Sequence, residues 1–184
     1  MLAPSAKAQG EGVMMMAEDR KERLAKINFW DEILKLRDQQ RDQRKNGLMV
    51  IKGNQLPQEL NRQGYMRWYL HPAITDTVLN THIFFEQEIP PGSRSGMLKF
   101  QGEQVMYILE GKGYTLIDGV KHHWEAGDVL NLPLRKPGII VQHVNEDPEK
   151  PAKFVAAEPN LYHTTSVDRG SGFEQIEDCP EFRR

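Results

Sequence analysis

From Leu48 to Ala157 the chain is a succession of short β-branched and aromatic runs, each closed by Gly, Pro, Asn or Asp, with no helical periodicity between them. The runs are Leu48 to Ile51, Tyr65 to Leu70, Val78 to Ile89, Gly96 to Phe100, Gln104 to Glu110, Gly113 to Ile117, Val129 to Leu132, Gly138 to Val144 and Ala152 to Ala157. Pro90-Pro91-Gly92, Asp118-Gly119, Ala126-Gly127-Asp128 and Lys136-Pro137-Gly138 supply the turns. The rhythm therefore predicts an all-β domain, either a sandwich or a closed barrel.

The flanks read differently. Residues 18–47 are rich in helix formers and free of Pro and Gly until Gly47, with Leu24, Ile27 and Leu34 and the set Phe29, Ile33 and Leu36 at three- and four-residue steps. This predicts one amphipathic helix, ended by Asn46-Gly47 and packed on its own barrel or on a dimer partner. The stripe covers too few heptads for a coiled coil. Residues 1–17 are expected to be a disordered leader, with Met14-Met15-Met16 as an alternative start of translation, and 161–184 an irregular tail with at most one short element. The β-rich part, 48–160, is then the barrel.

Size and charge narrow the function. A chain of 184 residues suits one core with appended elements. A formal net charge of −2 gives no field to draw in nucleic acid or an anionic membrane. No run of eighteen apolar residues and no signal-peptide pattern occur. A single cysteine, Cys179, cannot form a disulfide within the chain and has no cationic cluster to activate it. The expectation is a cytoplasmic protein whose partner is a small molecule, with a homodimer suggested by the helix and the exposed barrel edges.

The order of turns and strands carries a resemblance. Pro91-Gly92, then Tyr107-Ile108-Leu109-Glu110-Gly111-Lys112-Gly113, then Trp124-Glu125-Ala126-Gly127-Asp128 and Pro133, resembles the cupin superfamily over about Tyr65 to Pro159. It looks closest to small relatives of the gentisate-type ring-cleaving dioxygenases. The resemblance implies a double-stranded β-helix, or jelly-roll barrel, with an N-terminal α-helix. In the family, the first motif places His-x-His and a carboxylate between Gly92 and Gly111, and the second brings a further metal-binding His after Gly127 and Pro133. In this register those ligands fall on Leu98, Phe100, Gln104 and Val141. Leu, Phe and Val offer no lone pair, and a neutral Gln alone is a poor ligand for a first-row divalent metal. No metal and no other cofactor is therefore expected.

Strand alternation then gives the candidate cavity. If Leu98, Phe100 and Gln104 face inward, so does Met106, and on the later strand Val141, His143 and Asn145 share a face. His143 is the histidine placed inside by the motif. Of the others, His122-His123 is expected beside a turn and exposed, and a displaced metal site would need His82 to converge with His143 and Glu86 or Glu88. Arg67 is expected in a surface ion pair, and Trp124 in packing. Two outcomes stay open: these side chains fill the barrel, or they line an apolar pocket in which Gln104, His143 and Asn145 orient a small aromatic, aliphatic or carboxylate ligand. The pocket implies a metal-independent binder, or an isomerase, lyase or decarboxylase with His143 as acid–base, its ordinary pKa lying near neutrality. A metal-dependent dioxygenase is what the nearest relatives imply and what the ligand positions oppose.

Overall fold

The computed structural model describes residues 19–162 and 173–183; the leader at 1–17 and His163 lie outside the described residues. The chain divides into two compact units, residues 1–45 and 46–184. In the first, the single helix expected over 18–47 is two: α1 at 19–25 and α2 at Phe29–Asn46. Asn28 makes the break. Its side-chain oxygen accepts the Asp31 N–H at 3.3 Å, its amide donates to the Asp31 carboxylate at 2.7 Å, and its own carbonyl accepts the Glu32 N–H at 3.1 Å. An Asn in that position begins a helix rather than continuing one. Asp31 and Glu32 at one end of α2, and Arg44 and Lys45 at the other, complement its dipole. No residue of α2 is buried; Trp30 is 69% exposed.

The second unit is a two-sheet barrel. Its strands are β1 (Glu59–Asn61), β2 (Gly64–Leu70), β3 (His82–Ile89), β4 (Met97–Phe100), β5 (Gln104–Glu110), β6 (Lys112–Ile117), β7 (Val120–Glu125), β8 (Val129–Leu132), β9 (Ile139–Asn145), β10 (Ala152–Pro159) and β11 (Glu174–Glu177). One sheet runs β1-β2-β3-β10-β5-β8 and the other β11-β4-β9-β6-β7. Neighbouring strands within each sheet pair antiparallel. Late strands lie between early ones: β10 sits between β3 and β5, and β9 between β4 and β6. The chain thus winds twice through both sheets, which is jelly-roll topology.

Period-two alternation sets the inside. Ile83, Phe85, Gln87 and Ile89 of β3, Gln104, Met106 and Ile108 of β5, and Ala152, Phe154 and Ala156 of β10 are buried. His82, Glu86 and Glu88 therefore take the outer face of β3, where Glu86 pairs with Arg67 and Glu88 with Lys153. They cannot converge with His143, so the displaced metal site is ruled out by the pleat itself.

Elsewhere strand boundaries differ from the sequence pattern for identifiable reasons. The expected strand Leu48–Ile51 is reduced to an isolated parallel bridge between Leu48 and Thr77. The run from Val78 becomes a strand only at His82. His122 and His123, expected exposed beside a turn, are exposed there, in β7, an edge strand after the Asp118-Gly119 turn in which only Trp124 is buried. Such a strand has no alternating apolar signal to find. The hairpin before it turns on Asp118 and Gly119, with φ of 50° and 83°, the left-handed pair a two-residue turn requires. The tail, expected to be irregular with at most one short element, contributes the four-residue β11, which pairs with β4. None of the described helices is long and apolar enough to cross a membrane.

Candidate ligand cavity

The two sheets do not close fully on each other. Between them lies a cavity of about 790 Å³, walled mainly by Met66 and Trp68 of β2, Ile83 and Phe85 of β3, Leu98 and Phe100 of β4, and Val141 of β9. Phe173, Gln175 and Phe182 of the C-terminal segment also line it. Leu98 and Val141 are direct cross-strand partners, so two expected metal-ligand positions form one apolar patch.

Of the candidate residues, Leu98, Phe100, Gln104, Val141 and His143 reach this cavity together, and Met106 and Asn145 do not line it. Met106 is fully buried in the packed core beneath it. Asn145 is a structural clamp: its amide donates to the carbonyls of Ile89, Pro90 and Lys150 at 3.1, 3.0 and 2.8 Å, and its oxygen accepts the Asp147 N–H. Two features displaced it from the cavity wall. It ends its strand, and its single amide satisfies carbonyls of the two connections nearby. Asn145→Ala leaves those buried acceptors unpaired and is expected to cost about 2 kcal/mol in urea unfolding.

His143 is held from both sides. Its backbone N–H donates to Ser95 Oγ at 2.9 Å, and its carbonyl accepts the Ser95 N–H at 2.8 Å. Its ring meets Phe154 edge-on, 5.0 Å between centroids, and its Nδ1 lies 2.8 Å from the Thr115 hydroxyl. Burial lowers its pKa from 6.5 to about 4. The ring is thus neutral at neutral pH, and the expectation that it titrates there is corrected by desolvation.

The group that burial brings to titrate there is Glu158, which lies within the expected barrel and was given no role from the sequence alone. It extends the inward face of β10 beyond Phe154 and Ala156, lines the cavity, and accepts a hydrogen bond from the Gln104 amide at 2.9 Å. Burial raises its pKa from 4.5 to about 7, against the lowering effect of Gln104. Burial, and then the Glu158 charge, push the neighbouring Tyr162 phenol upward as well. The carboxyl missing at position 104 is therefore present next to it, on the adjacent strand. The signal was available: residues 152, 154, 156 and 158 alternate in phase, and an inward-phased Glu is costly unless used.

His71 also lines the cavity. Its Nδ1 accepts the Ala73 N–H at 3.0 Å, its ring meets Trp68 edge-on, and burial lowers its pKa against the raising effect of Glu59. Among the described residues no three His, Cys, Asp or Glu side chains gather where they could hold a metal. The positions that the resemblance assigns to metal ligands hold Leu98, Phe100, Gln104 and Val141, and Leu, Phe and Val carry no donor atom for a divalent ion.

No family model matches the chain. An uncharacterized protein of Methanocaldococcus jannaschii is 33% identical over 73 residues, 39% of this chain and 57% of that protein, so the match spans little more than half of its length. Among solved structures, the polyketide cyclase RemF of Streptomyces resistomycificus superposes with a TM-score of 0.51 at 16% identity, over 61% of this chain and 79% of that one. A variant of oxalate decarboxylase from Bacillus subtilis gives 0.50 at 15% identity, over 60% and 29%. The vicilin of Solanum melongena gives 0.50 at 18%, over 60% and 30%. At such identities the likeness is one of fold. With its two interwound antiparallel sheets, the chain has the cupin-type barrel fold that these neighbours share.

Proposed function

We propose that the barrel takes up a small, largely apolar organic molecule, and does so without a metal. The observation that carries this reading is the cavity itself: about 790 Å³, apolar where a cupin metal would be ligated, with His143, Gln104 and Glu158 as inward polar groups. A volume of that size suits a drug-sized ligand, and a few polar groups in an apolar wall fix orientation. The fold alone does not choose the ligand, since its neighbours include a cyclase, a decarboxylase and a vicilin whose structure revealed anionic ligands in structurally similar pockets.

Two measurements test the proposal. Elemental analysis after incubation with iron, manganese, nickel and zinc is expected to give well under one metal per chain; one tightly held ion per chain restores the metal-dependent dioxygenase. Calorimetry with 2-naphthoate as probe is expected to show one site per chain, and His143→Ala to weaken it by about tenfold or more, the worth of one good hydrogen bond to a charged group. Saturable binding left unchanged by His143→Ala removes His143 from the site.

A second reading, metal-independent acid–base catalysis, is favoured by one observation: Glu158, with a pKa near 7, is poised to exchange a proton inside the cavity. In that reading Glu158 takes the role first given to His143. A catalyst changes the bound molecule, with a pH–rate profile that turns near 7 and is lost in Glu158→Gln; a carrier or sensor saturates without turnover. A homodimer in the cytoplasm remains part of the proposal, checked by light scattering of the purified chain.

A further inference from the structure

Trp124 and Thr115 sit behind His143, away from anything the sequence marks as functional. Trp124 Nε1 lies 3.0 Å from Thr115 Oγ1, and Thr115 Oγ1 lies 2.8 Å from His143 Nδ1. Trp124 and His143 are 5% and 7% exposed, and Thr115 is fully buried. The three come from one sheet: Thr115 on β6 is the cross-strand partner of His143 on β9, and β7 brings Trp124 alongside.

An indole N–H only donates, so the Trp124 bond has one direction and occupies a lone pair of the Thr115 oxygen. The Thr115 hydroxyl proton then needs an acceptor, and His143 Nδ1 is the one in reach. Were Nδ1 to carry the ring proton instead, Oγ1 would accept twice and its own proton would be left unpaired in a dry core, at the full cost of desolvating that group. Full protonation of the ring meets the same obstacle, because it too puts a hydrogen on Nδ1.

We infer that Trp124 and Thr115 form a one-way hydrogen-bond relay that fixes His143 as a neutral ring protonated on Nε2, so that the cavity wall offers a ligand a hydrogen-bond donor and never an acceptor at this point. Trp124 and Thr115 are positioning residues in this scheme; neither lines the cavity. The relay deepens the proposed ligand-binding reading by naming the chemistry His143 selects, namely a carboxylate, carbonyl or phenolate oxygen of the ligand rather than an ammonium group. It suits the second histidine too: His71 accepts a backbone N–H at Nδ1, a bond that cannot reverse, and so carries its neutral-state proton on Nε2 as well.

The tautomer is read directly from the two ring nitrogens by long-range proton–nitrogen correlation on the ligand-free, nitrogen-15-labelled protein at neutral pH. His143 is assigned by its disappearance in His143→Gln, and His71 serves as the internal reference for the Nε2–H pattern. The expected result is an Nε2–H pattern for His143, with its Nδ1 resonance displaced as for a ring nitrogen that accepts a hydrogen bond. In Thr115→Val, which keeps the branched shape and removes only the hydroxyl, that resonance should move to the position of an unbonded nitrogen, and in Thr115→Ser, which keeps the hydroxyl, it should stay at the bonded position. An Nδ1–H pattern in the wild type overturns the relay, as does an Nδ1 resonance indifferent to Thr115→Val in a folded variant. Since none of this needs a ligand, failure of 2-naphthoate to bind counts against the proposed function and leaves the relay standing on its own result.

Discussion

At pH 8, Glu158→Gln is expected to unfold at higher urea than the wild type, by about 3 kcal/mol, with the gap shrinking to about 1 kcal/mol at pH 5. The cause is the carboxyl held in a largely apolar cavity, with the Gln104 amide as its hydrogen-bond partner among the described residues. Its pKa is raised from 4.5 to about 7, so the folded state binds the extra proton between those values and the unfolded state does not. The stability is whole below pH 4.5 and is lost as pH rises through about 7. Gln has the same shape and no charge to bury, and so escapes that loss. The same group gives ligand binding a sign: affinity for an anion such as 2-naphthoate falls as pH rises through 7, and the fall disappears in Glu158→Gln. A stability gap that stays constant between pH 5 and pH 8 would mean that the Glu158 carboxylate is hydrated in the folded state, and would remove it as the cavity's titrating group. A gain of this size from deleting one charge is unusual for a surface position, where substitutions stay within about 0.5 kcal/mol. A protein that keeps such a residue is keeping something other than stability.

The barrel was legible because two independent signals agreed. Turn residues at Gly92, Gly111, Gly127 and Pro133 set the spacing of the strands, and period-two alternation in β3, β5 and β10 set their inner faces. The same alternation put Leu98, Phe100, Gln104, Val141 and His143 on one cavity, which the structure brings together. It placed Met106 and Asn145 there too, because sharing a face is not the same as sharing a depth: Met106 lies farther down the packed interior, and Asn145 is drawn to backbone carbonyls at a strand end. What stayed hidden depended on partners distant in sequence. Glu158 is 54 residues from Gln104, and Thr115 is 28 from His143. Trp124 looked like packing and is packing, yet its indole N–H also aims at Thr115. The edge strands β1, β7 and β11 escaped for the opposite reason, since strands with mostly exposed residues carry little apolar pattern.

Removing the second buried titratable group should expose a pH dependence that the wild type conceals. His143 has its pKa lowered from 6.5 to about 4, so the unfolded state binds the extra proton between those values. Its stabilising effect is complete above pH 6.5 and is lost as pH falls through about 4, about 2 kcal/mol of it by pH 5. Glu158 acts with the opposite sign over nearly the same window. Acidifying the wild type from pH 8 to pH 5 therefore relieves one group while it loads the other, and the net change from the pair is close to zero. In His143→Gln only the Glu158 effect survives, and stability should rise by about 2 kcal/mol over that interval relative to the wild type. In Glu158→Gln it should fall by about as much. The absolute cost of His143→Gln at one pH mixes in the lost contact with Phe154 and the altered partner for Thr115, so the change with pH is the quantity to read. Parallel unfolding curves for wild type and His143→Gln at pH 5, 6, 7 and 8 would mean that the ring is already open to water in the folded protein. That would withdraw both its lowered pKa and the dry environment on which the Trp124–Thr115 relay depends.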